Sequence, residues 1–447
     1  MPFDPCSKYL SLYAEPEARE LPPQLFRDLS FDLGVALPLR GEDPAEVEKR
    51  ISALSELALL KQKRLLVVAV VNGTDSTDPE YRRSHQELFT QLKNQGGRSS
   101  GIFRVQNRSP YFTVAWVDRA VERPFQTKQG VGLARKIGCD LLIRLQADGI
   151  LKTPWLWTTD ADACLPADYF DSPRSRASAI HYPFRHDCNG FDGAEALSLY
   201  EIHLRYYFLG LLWTHSPFAY PTIGSCLAIA PEAYVTVRGF QDREAGEDFH
   251  LLNKLRKVAP LHYHRGLPIV LRGRFSRRVP FGTGQSTISI NESLSRGEPF
   301  TLYSPDSFSF LKELLFEVSN ALAHAPEQGR LQMKAFETRL VQEAPLTHKI
   351  LADLQVPRIL DQAFSTRSTA EARIRHFHTS FDALKTLRLI HLFEEYHKLK
   401  TPWMKALQNS PFLQLSENPF QSGTTLLEMQ AMEEKELGTA FVELAGF

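Results

Sequence analysis

Apolar and polar positions along the chain fall into two regimes. Between about residues 61 and 300, short unbroken apolar runs alternate with stretches whose apolar residues recur every three or four positions; from about residue 305 only the second pattern continues. The run "RLLVVAVVNGTDSTD" (64–78) is β-branched and ends in Asn-Gly, the composition of a buried parallel strand leaving its sheet. "YRRSHQELFTQLKNQ" then predicts a helix, a Gly/Ser/Arg loop follows, and "YFTVAWVD" predicts a second strand. A helix over "QTKQGVGLARKIGCDLLIRLQ" and a short strand in "PWLWTTDAD" (154–162) continue the series. Such alternation predicts an α/β doubly wound sheet with its site at the C-terminal ends of the strands.

Residues 1 to about 60 begin irregular and proline-rich and end in a helix, with Asp43 as cap, Pro44 in the first turn and Glu46 and Glu48 at the positive end. After residue 305, "SFSFLKELLFEVSNALAHA" and "AEARIRHFHTSFDALKTLRLIHLFEEYHKL" have helical spacing. The expected organisation is an N-terminal extension (1–60), an α/β catalytic domain (61–300) and a helical C-terminal domain (301–447).

Composition narrows the partners. The 447 residues are 43% apolar and 23% charged, as in globular proteins. Fifty-two basic side chains balance 52 acidic ones, so the basic footprint of nucleic acid binding is absent. The cysteines, Cys6, Cys139, Cys164, Cys188 and Cys226, are scattered without a CxxC pair, which argues against disulfides or a zinc ribbon and fits a reducing cytoplasm. No secretory signal or transmembrane segment is expected; "YFLGLLW" (207–213) is far short of a span.

Two acidic positions carry the candidate chemistry. On an extended strand Asp160 and Asp162 project together, a hard anionic site suited to Mg²⁺ or Mn²⁺ shared with substrate phosphates; a surface turn before Pro166 is the plainer alternative. In "GEDFHLLNKLRK" (246–257), Glu247 and Asp248 open a helix. Acidic residues there satisfy free N–H groups and the helix dipole, and beside a metal-bound phosphate one of them suits a general base.

In order, a strand ending "VD", a helix containing "GLAR", "DAD", "GSCLAIAPEAY" followed by Arg-Gly-Phe, and "GEDF" make residues 62–290 resemble the family 2 glycosyltransferases of GT-A fold. The resemblance implies a nucleotide-diphospho-sugar transferase fold, a Rossmann-like mixed sheet. It implies that Asp118 contacts the donor base, with Asn72 a further candidate donor contact and Arg135 a candidate substrate-binding residue. Asp160 and Asp162 match the pair holding ribose and a divalent metal, Mn²⁺ or Mg²⁺, with Asp162 the more direct ligand. Gly224 and Ser225 match the turn lining the acceptor side, and Asp248 the base of inverting members, with Glu247 beside it. The chain departs from the pattern at "VVNGTDST", which includes Asp75, and no QxxRW follows the acidic pair, so processive polysaccharide synthases match poorly.

"LHYHRGLPIVLRGRFSRRVPFGTG" (261–284) offers His262, His264, Arg272, Arg274, Arg277 and Arg278. Basic groups there suit a leaving diphosphate and His264 is the candidate to complete the metal shell, against the alternative of a solvated basic loop. His181 and His186 are read as structural or as acceptor wall, the aromatic run around residues 199–220 as core packing or acceptor wall, and Gly130 to Gly132 as no cofactor site. The expected function is a metal-dependent, inverting glycosyltransferase using a nucleotide-diphosphate sugar and, for preference, a small soluble acceptor. The alternatives are a haloacid-dehalogenase-type phosphohydrolase, in which Cys164 is atypical, and a non-catalytic nucleotide-sugar-binding protein. The helical domain is open to roles in acceptor selection, homo-oligomer formation or covering a face.

Overall fold

The computed structural model describes residues 5–74, 76–171, 176–276, 282–366, 369–414 and 422–443. The chain forms two compact units, Met1–Asp192 with Thr222–Ser286, and Gly193–Pro221 with Thr287–Phe447.

The strands of the first unit are β1 (Leu33–Leu39), β2 (Leu65–Asn72), β3 (Arg98–Ser100), β4 (Phe103–Ser109), β5 (Phe112–Arg119), β6 (Leu156–Thr158), β7 (Ala163–Cys164), β8 (Ala179–His181), β9 (Phe184–Asp187), β10 (Leu227–Ile229), β11 (Leu261–Tyr263) and β12 (Ile269–Arg272). Nine form a sheet in the order β11-β8-β10-β6-β1-β2-β5-β4-β3, and β7-β12-β9 form a smaller one. Strands β6, β1, β2 and β5 run parallel, whereas β10 and β4 are antiparallel to their neighbours. The sheet is therefore mixed. From β1 the chain proceeds to β2 and β5 on one side and returns to β6 on the other. The crevice beyond the C-terminal ends of β1 and β6 is thus the topological switch point, where open α/β sheets bind ligands.

Parallel central strands are covered on both faces, which is why every residue of β1 and β2 is buried and neither alternates. The helix Val131–Ala147 lies so close to β1 that a Cβ at Gly138 would stand 2.8 Å from the Ala36 Cβ. Asp43 caps the helix Pro44–Lys61 by accepting from the Ala45 N–H at 2.7 Å, as its sequence signals.

Residues 5–20, expected to be an extension, instead dock on the Val131–Ala147 helix. Its buried Asp140 accepts from Tyr9 Oη (2.5 Å), Tyr234 Oη (2.9 Å), the Glu15 N–H (2.8 Å) and Lys136 Nζ (2.7 Å). Two further expectations are corrected. The stretch before residue 60 contains β1, a central strand, and the Gly/Ser/Arg loop is the hairpin β3–β4.

The described residues of the second unit are almost wholly helical. Helices including Pro305–Ala323, Pro326–Glu343 and Ala383–His397 enclose Phe308, Leu311, Leu314 and Ile390. Its boundary differs from the expected residue 301, because Ala194–Trp213 also belongs to it. The aromatic run packs as core: Tyr206 is buried, edge-on to Phe308 at 5.6 Å, and Arg205 is buried between Glu201 and Glu433. Among the described residues no helix is long and apolar enough to cross a membrane.

Candidate active site

Strand β6 stops at Thr158, and the chain turns: the Ala163 N–H donates to Asp160 O at 3.2 Å. Asp160 and Asp162 therefore lie on a turn beyond the strand, not on the extended segment expected, and turn geometry instead of strand alternation orients them. Antiparallel pairing of β7 with β12 follows, with the Arg272 N–H donating to Asp162 O at 3.1 Å. That pairing brings Arg274 to Asp162, Nη2 to Oδ2, at 2.8 Å. Asp160 is gripped from the other side. One nitrogen of Arg135, the fifth residue of the Val131–Ala147 helix, donates to both its oxygens at 2.7 and 2.9 Å.

Arg135 also binds Glu247. The helix Glu247–Val258 leaves Gly246, whose φ of 71° lies in the left-handed region glycine tolerates. Its first residue, Glu247, is buried with its carboxylate on the Arg135 guanidinium, while Asp248 is half-buried and accepts the Phe249 N–H at 2.8 Å. Gly130 and Gly132 allow the approach of these segments. A Cβ at Gly132 would meet the carbonyl oxygens of Gln241 at 2.6 Å and Arg243 at 2.8 Å, which gives "GVG" a packing role. Gly224 has a similar one, because a Cβ there would lie 2.6–3.0 Å from the Arg135 guanidinium. Thr158 Oγ1 fixes that turn by donating to Gly224 O at 2.7 Å.

The result is three carboxylates around one guanidinium. Burial raises the proton affinities of Asp160, Glu247 and Asp248 against the pull of Arg135, and carries Glu247 up to about 7. Burial works against the charge on Arg135, but Asp160, Glu247 and Asp248 more than offset it and hold the guanidinium ionised.

The remaining expected residues are distributed as follows. Asn72 Nδ2 donates to Leu39 O at 2.9 Å, tying β2 to β1. Asp118 accepts from the N–H groups of Ala120 (3.1 Å) and Val121 (2.7 Å), closing the turn after β5. Ser225 is buried, 3.9 Å from Cys226 Sγ. His264 stands 3.5 Å from Asp168 and packs on the Tyr182 ring. His181 packs against Tyr263 and Phe184, and His186 against Phe184. Asp75, Arg277 and Arg278 lie outside the described residues.

Several expectations change. Arg135, expected to bind substrate, has its side chain 5% exposed and paired with Asp160 and Glu247. Glu247 is likewise enclosed, which leaves Asp248 as the more accessible acid. The end of β1 supplies residues the sequence did not flag. Glu42 accepts from the Arg40 N–H and adds to the field that holds Arg274 charged, and Gly41, at φ 70°, lies under the Tyr81 ring. A proline-bearing run ending Leu-Arg-Gly-Glu was the available signal.

The donor set can be tested against a divalent ion. Among the described residues no group of three or more His, Cys, Asp or Glu side chains is placed to hold one. Both oxygens of Asp160 accept from Arg135, and His264 stands 3.5 Å from Asp168. Arg274 meets Asp162 at Oδ2, 2.8 Å from its Nη2. One carboxylate fits an ion completed by substrate phosphates and water, and does not fit an all-protein cage.

No family model and no curated protein matches the chain. Among solved structures the chain is similar to a mannosyltransferase from Pyrobaculum calidifontis in complex with GDP-Man and Mn²⁺, at 14% identity over 86% of this chain and 95% of that one. The TM-score is 0.31, too low for that likeness to support a fold or function.

Proposed function

We propose that the protein is a glycosyltransferase of GT-A fold, family 2-like, that moves a sugar from a nucleotide-diphosphate sugar to an acceptor hydroxyl. The observation that carries this reading is the joining, at the switch point of the sheet, of the Asp160–Asp162 turn to the Glu247–Asp248 helix start through one buried arginine. Either acidic pair alone reads as a turn or a helix start. Together they form a polar centre at the end of a strand crevice.

In this account Asp248 takes the proton from the acceptor hydroxyl as its oxygen attacks the anomeric carbon. The bond to the donor diphosphate breaks with its electron pair passing to the departing phosphate oxygen, and the configuration inverts. Arg274, held by Asp162, provides positive charge for the diphosphate. Mn²⁺ or Mg²⁺ held by Asp162 would further offset charge on the leaving group. Asn72, Asp118 and the end of β1 border the nucleotide, and Gly224 and Ser225 the acceptor, for which a small soluble molecule is favoured. The phosphohydrolase reading needs Asp160 as a free nucleophile, and both its oxygens are committed to Arg135.

Thermal melting with UDP, GDP, ADP and CDP, each with and without Mn²⁺, tests the reading. A ligand that binds only the native state raises the melting temperature. One nucleotide series should stabilise the parent and not Asp162→Ala; no shift from any of them contradicts the proposal.

A further inference from the structure

The geometry points to Arg135 as the positioning residue of this site, with Gly224 as the seat that its guanidinium requires, so that the donor turn and the Glu247–Asp248 helix start form or fail as one unit. The inference rests on the proposed function for what the unit does, and on geometry for its existence.

Arg135 Nη2 holds both oxygens of Asp160 and its Nη1 holds Glu247, so a single planar group sets the separation of two segments 87 residues apart in sequence. Arginine suits the task because its fork of donors is rigid and stays charged when buried. The guanidinium occupies a slot with fixed walls. Gly224 leaves no room for a Cβ on one side, and its carbonyl is tied by Thr158 at the end of β6. On the other side Gly132 lets the Arg135 helix touch the backbone that leads into Glu247, through the Gly132 N–H to Arg243 O bond at 3.2 Å. Both glycines serve the same strut. Asp248, next to Glu247 but outside the ion pair, is thereby held half-exposed beside the Asp160 turn.

The strut makes a specific demand on mutants. Gly224→Ala should do harm only because its methyl group collides with the guanidinium, so the harm should vanish when that guanidinium is removed. A double-mutant cycle on the full chain, with parent, Arg135→Ala, Gly224→Ala and the double variant, is read by melting temperature and by affinity for UDP, GDP, ADP and CDP with Mn²⁺. We expect Gly224→Ala to lower the melting temperature in the parent and to change it little in the Arg135→Ala background. Nucleotide affinity should fall at least tenfold in Arg135→Ala and be restored in part by millimolar guanidinium ion, but not by urea. If Arg135→Ala does not fold, Arg135→Lys replaces it, since an ammonium leaves the guanidinium plane empty, and the same non-additivity is expected.

Additive losses in melting temperature would overturn the strut, as would parent-like nucleotide affinity in Arg135→Ala. A parent that binds none of the four nucleotides would count against the proposed function, while the melting cycle would still decide whether Arg135 and Gly224 are one unit.

Discussion

Glu247 and Asp248 are adjacent in sequence and should respond to mutation in opposite ways. Glu247 has a side chain 3% exposed and faces Arg135, whose own side chain is 5% exposed. Glu247→Leu leaves a guanidinium nitrogen buried without its acceptor, a defect that costs about 3–5 kcal/mol. At roughly 2–4 °C per kcal/mol for units of this size, the melting temperature should fall by about 6–20 °C. Glu247→Gln keeps an acceptor oxygen and should cost about 1 kcal/mol or less. Asp248→Asn keeps the bond from the Phe249 N–H and removes one of three clustered negative charges, so its stability should stay within about 0.5 kcal/mol of the parent. Calorimetric melting of the three variants, paired with nucleotide titration, is the assay. If both residues merely begin a helix, Asp248→Asn and Glu247→Leu should have similar, small effects; that result would refute the division of labour.

Burial carries Glu247 from its ordinary 4.5 to about 7. The folded state therefore binds an extra proton between those values, and the stability this contributes, complete below about pH 4.5, is lost as pH rises through about 7. Melting temperatures at pH 5.5 and 8 should differ less in Glu247→Gln than in the parent. Asp140→Ala leaves Tyr9, Tyr234, Lys136 and the Glu15 N–H without their shared acceptor, and should cost about 3–5 kcal/mol and expose residues 5–20 to limited proteolysis. Gly132→Ala drives a methyl group into two backbone carbonyls and should cost about 1–3 kcal/mol by denaturant unfolding. Asp162→Ala breaks only a half-exposed ion pair, so it should lose under about 1 kcal/mol while abolishing metal-dependent nucleotide binding by calorimetric titration.

The strands β2 and β5 and the helices Pro79–Asn94 and Val131–Ala147 were legible because their periodicities are long and uninterrupted. Strand β1 was not. Gly34 and Pro38 break its pattern, yet Pro38 is tolerated because β6 pairs only with Gly34–Ala36, short of the proline. The hairpin β3–β4 was hidden by its edge position, where Arg98, Arg104 and Asn107 replace apolar residues. At the site, the sequence drew attention to both acidic pairs but placed Asp160 and Asp162 on a strand, because a strand end two residues before Asp160 leaves no local mark. It also read Arg135 as a substrate contact and gave no sign that Gly224 seats its guanidinium. Their mutual packing joins segments 89 residues apart, and neither periodicity nor motif spacing encodes a contact of that kind.

The central claim is sugar transfer at the joined acidic centre, and the most direct measurement is release of nucleoside diphosphate from a panel of UDP-, GDP-, ADP- and CDP-linked sugars, with Mn²⁺, by parent and Asp248→Asn. The account predicts release from one nucleotide series by the parent, and loss of that turnover in Asp248→Asn with nucleotide binding retained. Equal turnover by the two proteins, or none by a folded parent with any donor, would contradict it.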